Sequence, residues 1–373
     1  MADEPVQLVD GKYELIEKVG EGGMAVVYRA LMHGAAGFRR PVAVKKIKRE
    51  FRAIKNYINM FVEEARVGSE LAHPNIVQVF DFCADDAGSY YLVMEWVEGM
   101  DMAALIRSYL REGEPAPWAL VVAVGIGTLR GLAAAHERRR MDGTFAPVIH
   151  RDVSPHNILL ACNGVVKLSD FGLARARDRM FSLTAPGTVK GKLSYLAPEI
   201  AMGESASPHS DIFSMGTVLW ESLAGARLFD GAADLDVFKK IRACKVKPLD
   251  EQREDLPTRL VSAVHRALQK NQIDRFPSAR AMANELGEVL READVGDPHA
   301  ALGHRVQEAR RQLGIGSARP RSDDQVELLA LQSVEIDFSS IDSVDTSGKT
   351  SDMSAIDIAF SDPVVDPKPD PKG

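Results

Sequence analysis

Residues 150–157 read His-Arg-Asp-Val-Ser-Pro-His-Asn, and residues 170–172 read Asp-Phe-Gly. These stretches place Asp152, Asn157 and Asp170 at offsets of 0, 5 and 18 residues. Phosphoryl transfer from ATP requires a carboxylate that orients the attacking hydroxyl, then an amide carbonyl and a second carboxylate that hold magnesium. We therefore expect Asp152 to act as the base, and Asn157 and Asp170 to bind Mg2+. A nucleotide site should precede these residues, and a substrate platform should follow them.

The composition is that of an ordinary globular protein, with 45% hydrophobic and 27% charged residues in 373. Its net charge of -7 is concentrated at the end of the chain. Residues 321–373 carry 12 Asp and Glu against 4 Lys and Arg, a net of -8, so the remaining residues sum to about +1. A nearly neutral folded part argues against a nucleic-acid-binding surface.

The cysteines and the apolar runs predict a cytoplasmic protein. Cys83, Cys162 and Cys244 are widely spaced and form no C-x-x-C pair, so neither a zinc site nor a disulfide framework is expected. Residues 1–11 lack the apolar core of a signal peptide. Uninterrupted apolar runs stay shorter than the roughly 20 residues that a membrane helix needs, so we expect no membrane insertion.

Residues 12–96 predict an antiparallel sheet with one main helix. Asn56–Leu71 has apolar residues near helical spacing and ends before His73-Pro74. Alternating or β-branched runs bounded by turn residues predict five strands: Tyr13–Val19, Val26–Met32, Pro41–Ile47, Val77–Phe82 and Tyr90–Val97.

Residues 97–295 are predicted to be mostly helical, so the fold class is α+β with two lobes. A short hairpin crosses Cys162-Asn163-Gly164. Residues 1–11 form an extension, 296–318 an additional helix, and 319–373 an acidic tail whose Ser, Asp and Pro content predicts disorder. The predicted helices are Trp118–Arg140, Ser210–Ala224, Ala233–Cys244, Pro257–Gln269, Ser278–Ala293 and Pro298–Leu313.

A glycine-rich turn lies between the first two predicted strands. Gly20, Gly22 and Val27 fit the pattern G-x-G-x-x-G-x-V, and Ala25 stands at the third glycine. Glycines let backbone amides approach phosphate oxygens. A Rossmann loop would open a helix, whereas strands flank this loop on both sides. A plain hairpin turn is the simpler interpretation of the motif taken alone.

Lys45 ends the run Val42-Ala43-Val44-Lys45, and Glu64 lies on the helix that follows. A Lys–Glu ion pair would aim the ammonium at the α- and β-phosphates. The neighbouring Glu63 is the alternative partner, and a solvated strand end is the simpler interpretation of the lysine.

From about Tyr13 to Leu290, the chain resembles the eukaryotic-like (Hanks-type) Ser/Thr protein kinases of bacteria, and most closely their myxobacterial branch. The resemblance is carried by the motifs above and by Ala197-Pro198-Glu199. It implies a protein kinase that uses ATP and Mg2+ and acts on protein substrates in cytosolic signalling.

The resemblance also implies roles for individual residues. Met94 would be the gatekeeper, the backbone of Glu95 and Val97 would bind adenine, and Asp101 would reach the ribose. Asp211 would anchor the catalytic loop, and Arg275 would pair with Glu199. Contacts to the nucleotide are expected from Val19, Gly20, Glu21, Gly22, Gly23, Val27, Ala43 and Leu159; simple core packing is the alternative for the apolar members of this set.

Two departures from the family pattern stand out. Ser154 occupies the usual lysine position two residues after Asp152, and Lys192 occupies the threonine position of G-T-x-x-Y. Our hypothesis is an exchange in which Lys192 supplies the charge beside Asp152 and Ser154 supplies the hydroxyl. The alternative is an exposed lysine of the activation loop.

Arg151 precedes the catalytic aspartate, an arrangement that often requires phosphate in the activation loop. We expect autophosphorylation at Thr184, then Thr188 or Ser182.

Two other functions compete with an active kinase. A pseudokinase that binds nucleotide or a partner is favoured by the Ser154 and Lys192 departures, but Lys45, Asp152, Asn157 and Asp170 are all present. A small-molecule kinase is disfavoured by the Ala-Pro-Glu segment and the long loop before it. The tail is either a docking segment for a protein partner, an inhibitor in cis or a solvated end.

Overall fold

The computed structural model describes residues 8–85, 88–140, 142–171, 193–231 and 233–315. Several predicted features lie outside these ranges: Gly172, the phosphorylation sites Ser182, Thr184 and Thr188, Lys192, and the tail 319–373. The chain divides into two units, residues 1–336 and 337–373, and only the first contains described residues.

The first lobe is an antiparallel sheet of six strands in the order β1-β2-β3-β4-β6-β5. Five strands were predicted, one fewer than observed. The additional strand is β1, whose Val9 is buried and pairs with Tyr13. Two residues are too few to show an alternating pattern. The strands are β1 (Leu8–Val9), β2 (Tyr13–Glu21), β3 (Ala25–His33), β4 (Arg39–Ile47), β5 (Val79–Ala84) and β6 (Tyr90–Glu95).

One long helix, α1 (Lys55–Ser69), packs against this sheet. Phe61 and Ala65 lie on its buried face and form a core with Ala25 and Leu92 from the sheet. The spacing of four residues places Phe61 and Ala65 on the same side of the helix, so α1 has one orientation that buries them.

The second lobe is helical and is built around α3 (Trp118–His136) and α5 (Pro208–Ala224), which are buried along nearly their whole length. The predicted α+β fold with two unlike lobes is thereby confirmed. The helix α2 was not predicted, and α3 ends at His136 rather than at Arg140. The other helices are α2 (Met102–Glu112), α4 (Pro198–Ala201), α6 (Asp234–Ala243), α7 (Thr258–Ala267), α8 (Ala279–Glu292) and α9 (Pro298–Gln312).

Helix α3 is long and apolar enough to cross a membrane, but 78% of its apolar window is buried within the protein. Its apolar character is therefore accounted for by its position at the centre of the helical lobe.

A small second sheet lies at the junction of the lobes. It consists of β7 (Gly99–Asp101), β8 (Ile158–Ala161) and β9 (Val166–Leu168) in sequence order. The predicted hairpin is the β8–β9 pair. β7 begins four residues after β6 ends, β8 begins directly after the motif at 150–157, and β9 ends two residues before Asp170.

Candidate functional site

Lys45 and two carboxylates form the central cluster of the site. Lys45 Nζ lies 2.5 Å from Glu64 Oε1 and 2.6 Å from Asp170 Oδ1. The lysine comes from β4, the glutamate from α1 and the aspartate from the segment after β9. The structure therefore unites residues from both lobes that lie 19 and 125 positions apart in the sequence.

The environment of Lys45 keeps its ammonium charged. Burial alone would lower the pKa of Lys45, but the neighbouring carboxylates of Asp170 and Glu64 outweigh burial and raise that pKa above its ordinary value. A cation held beside two carboxyl groups is suited to contact phosphate oxygens once a nucleotide competes for it.

Glu63, the alternative partner of Lys45, lies on the exposed side of α1. Its carboxylate receives Nη2 of Arg66 at 2.8 Å. The helical period of 3.6 residues separates neighbours by about 100°, so only Glu64 of the two faces the sheet.

The loop after α3 brings Asp152 and Asn157 together. Nδ2 of Asn157 donates to the backbone carbonyl of Asp152 at 2.7 Å and to its Oδ2 at 3.1 Å. The amide group is therefore oriented with its NH2 toward the carboxylate, which leaves Oδ1 of Asn157 as the atom for a cation. Both side chains are buried.

His150 fixes the backbone on which Asp152 lies. Its Nε2 donates to the carbonyl of Ser169 at 2.9 Å, and its Nδ1 accepts from the backbone N–H of Asp152 at 3.2 Å. The ring also packs against Phe171, with centroids 4.7 Å apart. The two motifs are thus tied to each other directly.

Asp211, in the first turn of α5, holds the same loop from below. Its two carboxylate oxygens accept the backbone N–H groups of His150 and Arg151 at 2.7 and 2.8 Å. Nε2 of His136 lies 2.8 Å from Oδ2 of the same group. Asp211 is 1% exposed, so these contacts satisfy a carboxylate that would otherwise be costly to bury.

Two site residues adopt left-handed backbone conformations. Arg151 has a φ of 65° and Asp170 a φ of 56°, a region that favours glycine. Such conformations persist where surrounding contacts enforce them, and they are concentrated at functional sites. The contacts of Asp211 with Arg151 and of Lys45 with Asp170 contribute to holding these conformations.

The glycine-rich turn connects β2 and β3. Gly22 donates its N–H to the carbonyl of Ala25 at 2.8 Å, and an added Cβ at Gly23 would meet no atom within 4 Å. Ala25 is 3% exposed and packs in the core with Phe61 and Leu92, which explains a methyl group where the pattern has a third glycine. Glu21 pairs with Lys48 at 2.6 Å.

The predicted adenine-binding residues lie on adjacent strands of the first sheet, except for Leu159, which lies in the second sheet. Ala43 on β4 is flanked by Arg29 on β3 and Met94 on β6. Val19 and Val27 lie on β2 and β3, and Leu159 lies on β8, paired with Asp101. The Glu95 side chain accepts from Nζ of Lys167 at 2.8 Å, so the segment 94–97 is joined to β9.

Asp101 has a structural contact that was not predicted. Its Oδ1 accepts the backbone N–H of Ala104 at 2.6 Å and so caps α2. Its Oδ2 lies 3.6 Å from Nδ1 of His156, a residue that sequence reasoning did not single out. The N-cap was visible in the sequence as an aspartate before an apolar helical run that ends at Gly113.

Glu199 and Arg275 form a buried ion pair below the site. Nη1 and Nη2 of Arg275 donate to the two carboxylate oxygens at 2.8 and 2.7 Å, and Oγ of Ser210 adds a third hydrogen bond at 2.8 Å. Burial would raise the pKa of Glu199, but the hydrogen bonds and charge of Arg275 outweigh it and lower the pKa below its ordinary value of 4.5.

Ser154 is buried, and its hydroxyl has no hydrogen-bond partner among the described residues. Lys192, with which we expect an exchange of roles, lies outside those residues. Within the described ranges, no three His, Cys, Asp or Glu side chains cluster as a self-sufficient metal site. Asn157 and Asp170 instead match the coordination preference of Mg2+, which binds one or two protein oxygens and completes its coordination shell with phosphates and water.

Comparison with known proteins shows which family the chain is similar to. The protein kinase domain family matches residues 13–286. The chain is 38% identical over 293 residues to tyrosine-protein kinase MasK of Myxococcus xanthus, covering 79% of this chain and 45% of MasK. It is 31% identical over 278 residues to serine/threonine-protein kinase PrkC of Bacillus subtilis, covering 74% of this chain and 40% of PrkC. The chain thus spans less than half the length of these two relatives.

Two mycobacterial proteins extend the comparison. Serine/threonine-protein kinase PknL of Mycobacterium tuberculosis is 34% identical over 285 residues, covering 76% of this chain and 67% of PknL. The crystal structure of the PknI kinase domain of the same organism is similar, with a TM-score of 0.56 and 27% identity. The structural alignment covers 77% of this chain and 99% of the PknI chain.

Proposed function

The chain belongs to the protein kinase family, and from this membership we propose that it transfers the γ-phosphate of Mg-ATP to Ser and Thr hydroxyls of proteins. The observation that carries the proposal is the contact of Lys45 with both Glu64 and Asp170. The contact supports the proposal because Asp170 directly follows Ser169, whose N–H donates to the carbonyl of Asn157 at 2.9 Å, so that Lys45, the proposed phosphate-binding cation, lies next to the segment joined to the Asp152 loop.

Each residue has a role that its contacts support. Lys45, held by Glu64, would orient the α- and β-phosphates. Asp152, whose Oδ2 is fixed by Asn157, would orient the substrate hydroxyl and accept its proton. Asn157 and Asp170 would hold Mg2+, which when bound neutralises charge on the phosphate oxygens.

Serine and threonine are favoured as acceptors because PrkC and PknL are both named serine/threonine-protein kinases. Two observations favour tyrosine instead. MasK is named a tyrosine kinase, and Ser154 occupies the position at which Ser/Thr kinases usually have a lysine. Phosphoamino-acid analysis of the autophosphorylated protein decides between them. We expect phosphoserine and phosphothreonine, and phosphotyrosine alone would contradict the acceptor class without contradicting the kinase.

The function is tested by transfer of radiolabelled γ-phosphate to a generic basic protein. We expect transfer by the unaltered chain and a loss of about 10²- to 10⁴-fold in kcat for Asp152→Asn, with Mg-ATP binding retained. Asp170→Asn should weaken Mg-ATP binding as well. A chain that binds Mg-ATP but transfers no phosphate under any condition would instead be a pseudokinase.

Mass spectrometry of the same reactions locates autophosphorylation. We expect phosphate on the loop between Asp170 and Glu199, at Thr184 first. If the chain transfers phosphate to the basic protein and yet carries no phosphate in this loop, that result would contradict the autophosphorylation proposal without contradicting the transferase activity.

A further inference from the structure

Helix α9 lies beyond the family match of residues 13–286 and is nevertheless packed into the kinase domain. Leu302, Val306 and Ala309 on one of its faces are fully buried. The helix approaches the β8–β9 turn so closely that an added Cβ at Gly303 would lie 3.0 Å from the carbonyl oxygen of Cys162. Such close packing fixes the position of the polar residues on the helix.

Arg310, near the end of α9, reaches the segment that follows β6. Its Nη1 donates to the backbone carbonyl of Gly99 at 2.8 Å, and its Nη2 pairs with Oε1 of Glu98. The Arg310 side chain is only 11% exposed. A guanidinium that makes two charge-assisted hydrogen bonds in this setting constrains both partners geometrically.

Glu98 passes this constraint into the segment 94–97. Its second oxygen, Oε2, accepts Nε1 of Trp96 at 2.7 Å. The carbonyl of Glu98 accepts the N–H of Cys162 at 2.8 Å, so its backbone is held as well. The guanidinium of Arg29, on β3, lies 5.7 Å from the Trp96 ring centroid. A continuous series of contacts thus runs from α9 through Glu98 and Trp96 to the first lobe.

We propose that Arg310 is a positioning residue for the nucleotide: by holding Glu98 and Gly99, it keeps the backbone of residues 95–97 in the geometry that binds adenine. This inference rests on the proposed function, because residues 95 and 97 are the proposed adenine contacts. The physical reason is preorganisation. A segment already held in its bound geometry loses less conformational entropy when the ligand arrives.

The same helix offers a matched control. Arg305 is also 11% exposed and also pairs with a glutamate, Glu112 on α2, at 2.7 Å. It stacks on Tyr109, 4.3 Å from the ring centroid, and makes no hydrogen bond or ion pair to residues 94–99. Loss of either arginine weakens the attachment of α9, but of the two only Arg310 contacts the segment after β6, so only its loss loosens that segment.

The experiment compares the full chain with Arg310→Ala and Arg305→Ala, measuring Kd for Mg-ATP by calorimetry, KM and kcat for ATP, and the Tm of each variant. We expect Arg310→Ala to raise Kd and KM for ATP by about 3- to 10-fold with kcat nearly unchanged. Arg305→Ala should lower the Tm by a similar amount and leave Kd within about 2-fold of the unaltered chain. Arg310→Lys, which keeps one charged contact, should fall between them.

Equal Kd values for Arg310→Ala and Arg305→Ala at comparable Tm would overturn the inference, because Arg310 would then serve only to attach α9. Failure of the unaltered chain to bind Mg-ATP would instead overturn the proposed function. A double substitution, Arg310→Ala with Glu98→Ala, should be little worse than Glu98→Ala alone, because Glu98 also holds Trp96. Fully additive effects of the two single substitutions would show that Arg310 does not act through Glu98.

Discussion

At the scale of single residues, the site is formed by groups that are close in space but far apart in the sequence. Lys45, Asp152, Asn157 and Asp170 could be predicted because phosphoryl transfer demands particular residue types at particular spacings. The capping of α2 by Asp101 was missed although the sequence signals it, because the family resemblance had already assigned Asp101 a contact with the ribose.

Ser154 and Lys192 give a prediction at this scale. The buried Ser154 hydroxyl, which lacks a partner among the described residues, lies two positions from Asp152, where the family has a cation. If Lys192 supplies that cation, Lys192→Thr should lower kcat by about 10²-fold or more. Ser154→Lys in the same chain should restore part of the loss. A kcat unchanged by Lys192→Thr would refute the exchange, with Lys190→Thr as the control for charge in the same loop.

The Glu199–Arg275 pair gives a pH prediction. The pKa of Glu199 is depressed in the folded state, so its contribution to stability is present above the ordinary value of 4.5 and is lost as pH falls through the lower, folded value. Glu199→Gln leaves a buried arginine without its counter-charge and should cost about 3 kcal/mol at neutral pH. The free-energy difference from the unaltered chain should shrink below about pH 4.5.

Denaturant unfolding at a series of pH values measures this difference. The exposed Glu204, five residues away, provides the control: Glu204→Gln should change the unfolding free energy by less than about 0.5 kcal/mol at every pH. A Glu199→Gln deficit that stayed constant down to pH 3 would show that the charge of Glu199 contributes nothing.

At the scale of secondary-structure elements, most long periodic segments were predictable, although the eleven-residue α2 was missed. Short elements were predictable only where a turn signal marks them, as at the β8–β9 hairpin. The strands β2 to β6 and the helices α1, α3 and α5 follow from alternation or helical spacing over many residues. The two-residue β1 and the three-residue β7 exist because neighbouring strands supply hydrogen bonds, and no local pattern encodes that. The end of α3 at His136 is similarly set by tertiary contact, since His136 is drawn to Asp211.

The packing of α9 gives a prediction for this scale. Gly303 and Gly287 both lie inside helices, α9 and α8. An added Cβ at Gly303 would meet backbone atoms at 3.0 Å, whereas at Gly287 it would meet nothing within 4 Å. Gly287→Ala should therefore stabilise the fold by up to about 1 kcal/mol through helix propensity.

Gly303→Ala gains the same propensity but forces α9 away from the β8–β9 turn, so we expect a net loss of about 1 kcal/mol. Thermal unfolding of the two variants checks this contrast. Equal and positive shifts in Tm for both would show that α9 is free to adjust, and would also weaken the argument that α9 holds Arg310 in place.

At the scale of the whole molecule, the lobes are joined by backbone rather than by side-chain contact alone. Val77 donates its N–H to the carbonyl of Leu168 at 3.0 Å, and Leu168 donates to that of Asn75 at 2.9 Å. These bonds tie the segment between α1 and β5 to β9, two residues before Asp170. The relative position of Glu64 and Asp170 around Lys45 is thereby set by the main chain, which sequence motifs alone do not reveal.

Charge distribution gives the prediction at this scale. Residues 321–373 carry a net charge of -8, and the loop between Asp170 and Glu199 contains five cations: Arg175, Arg177, Arg179, Lys190 and Lys192. If the tail inhibits in cis by attraction to that loop, a chain ended after Gly314 should transfer phosphate to a neutral peptide faster than the full chain at low salt. The difference should vanish near 0.5 M salt, where the Debye length is below about 5 Å.

A synthetic peptide of residues 321–373, added to the shortened chain, should restore the inhibition. Equal rates at low salt, with partner binding unchanged by the truncation, would leave the tail without a role in either process.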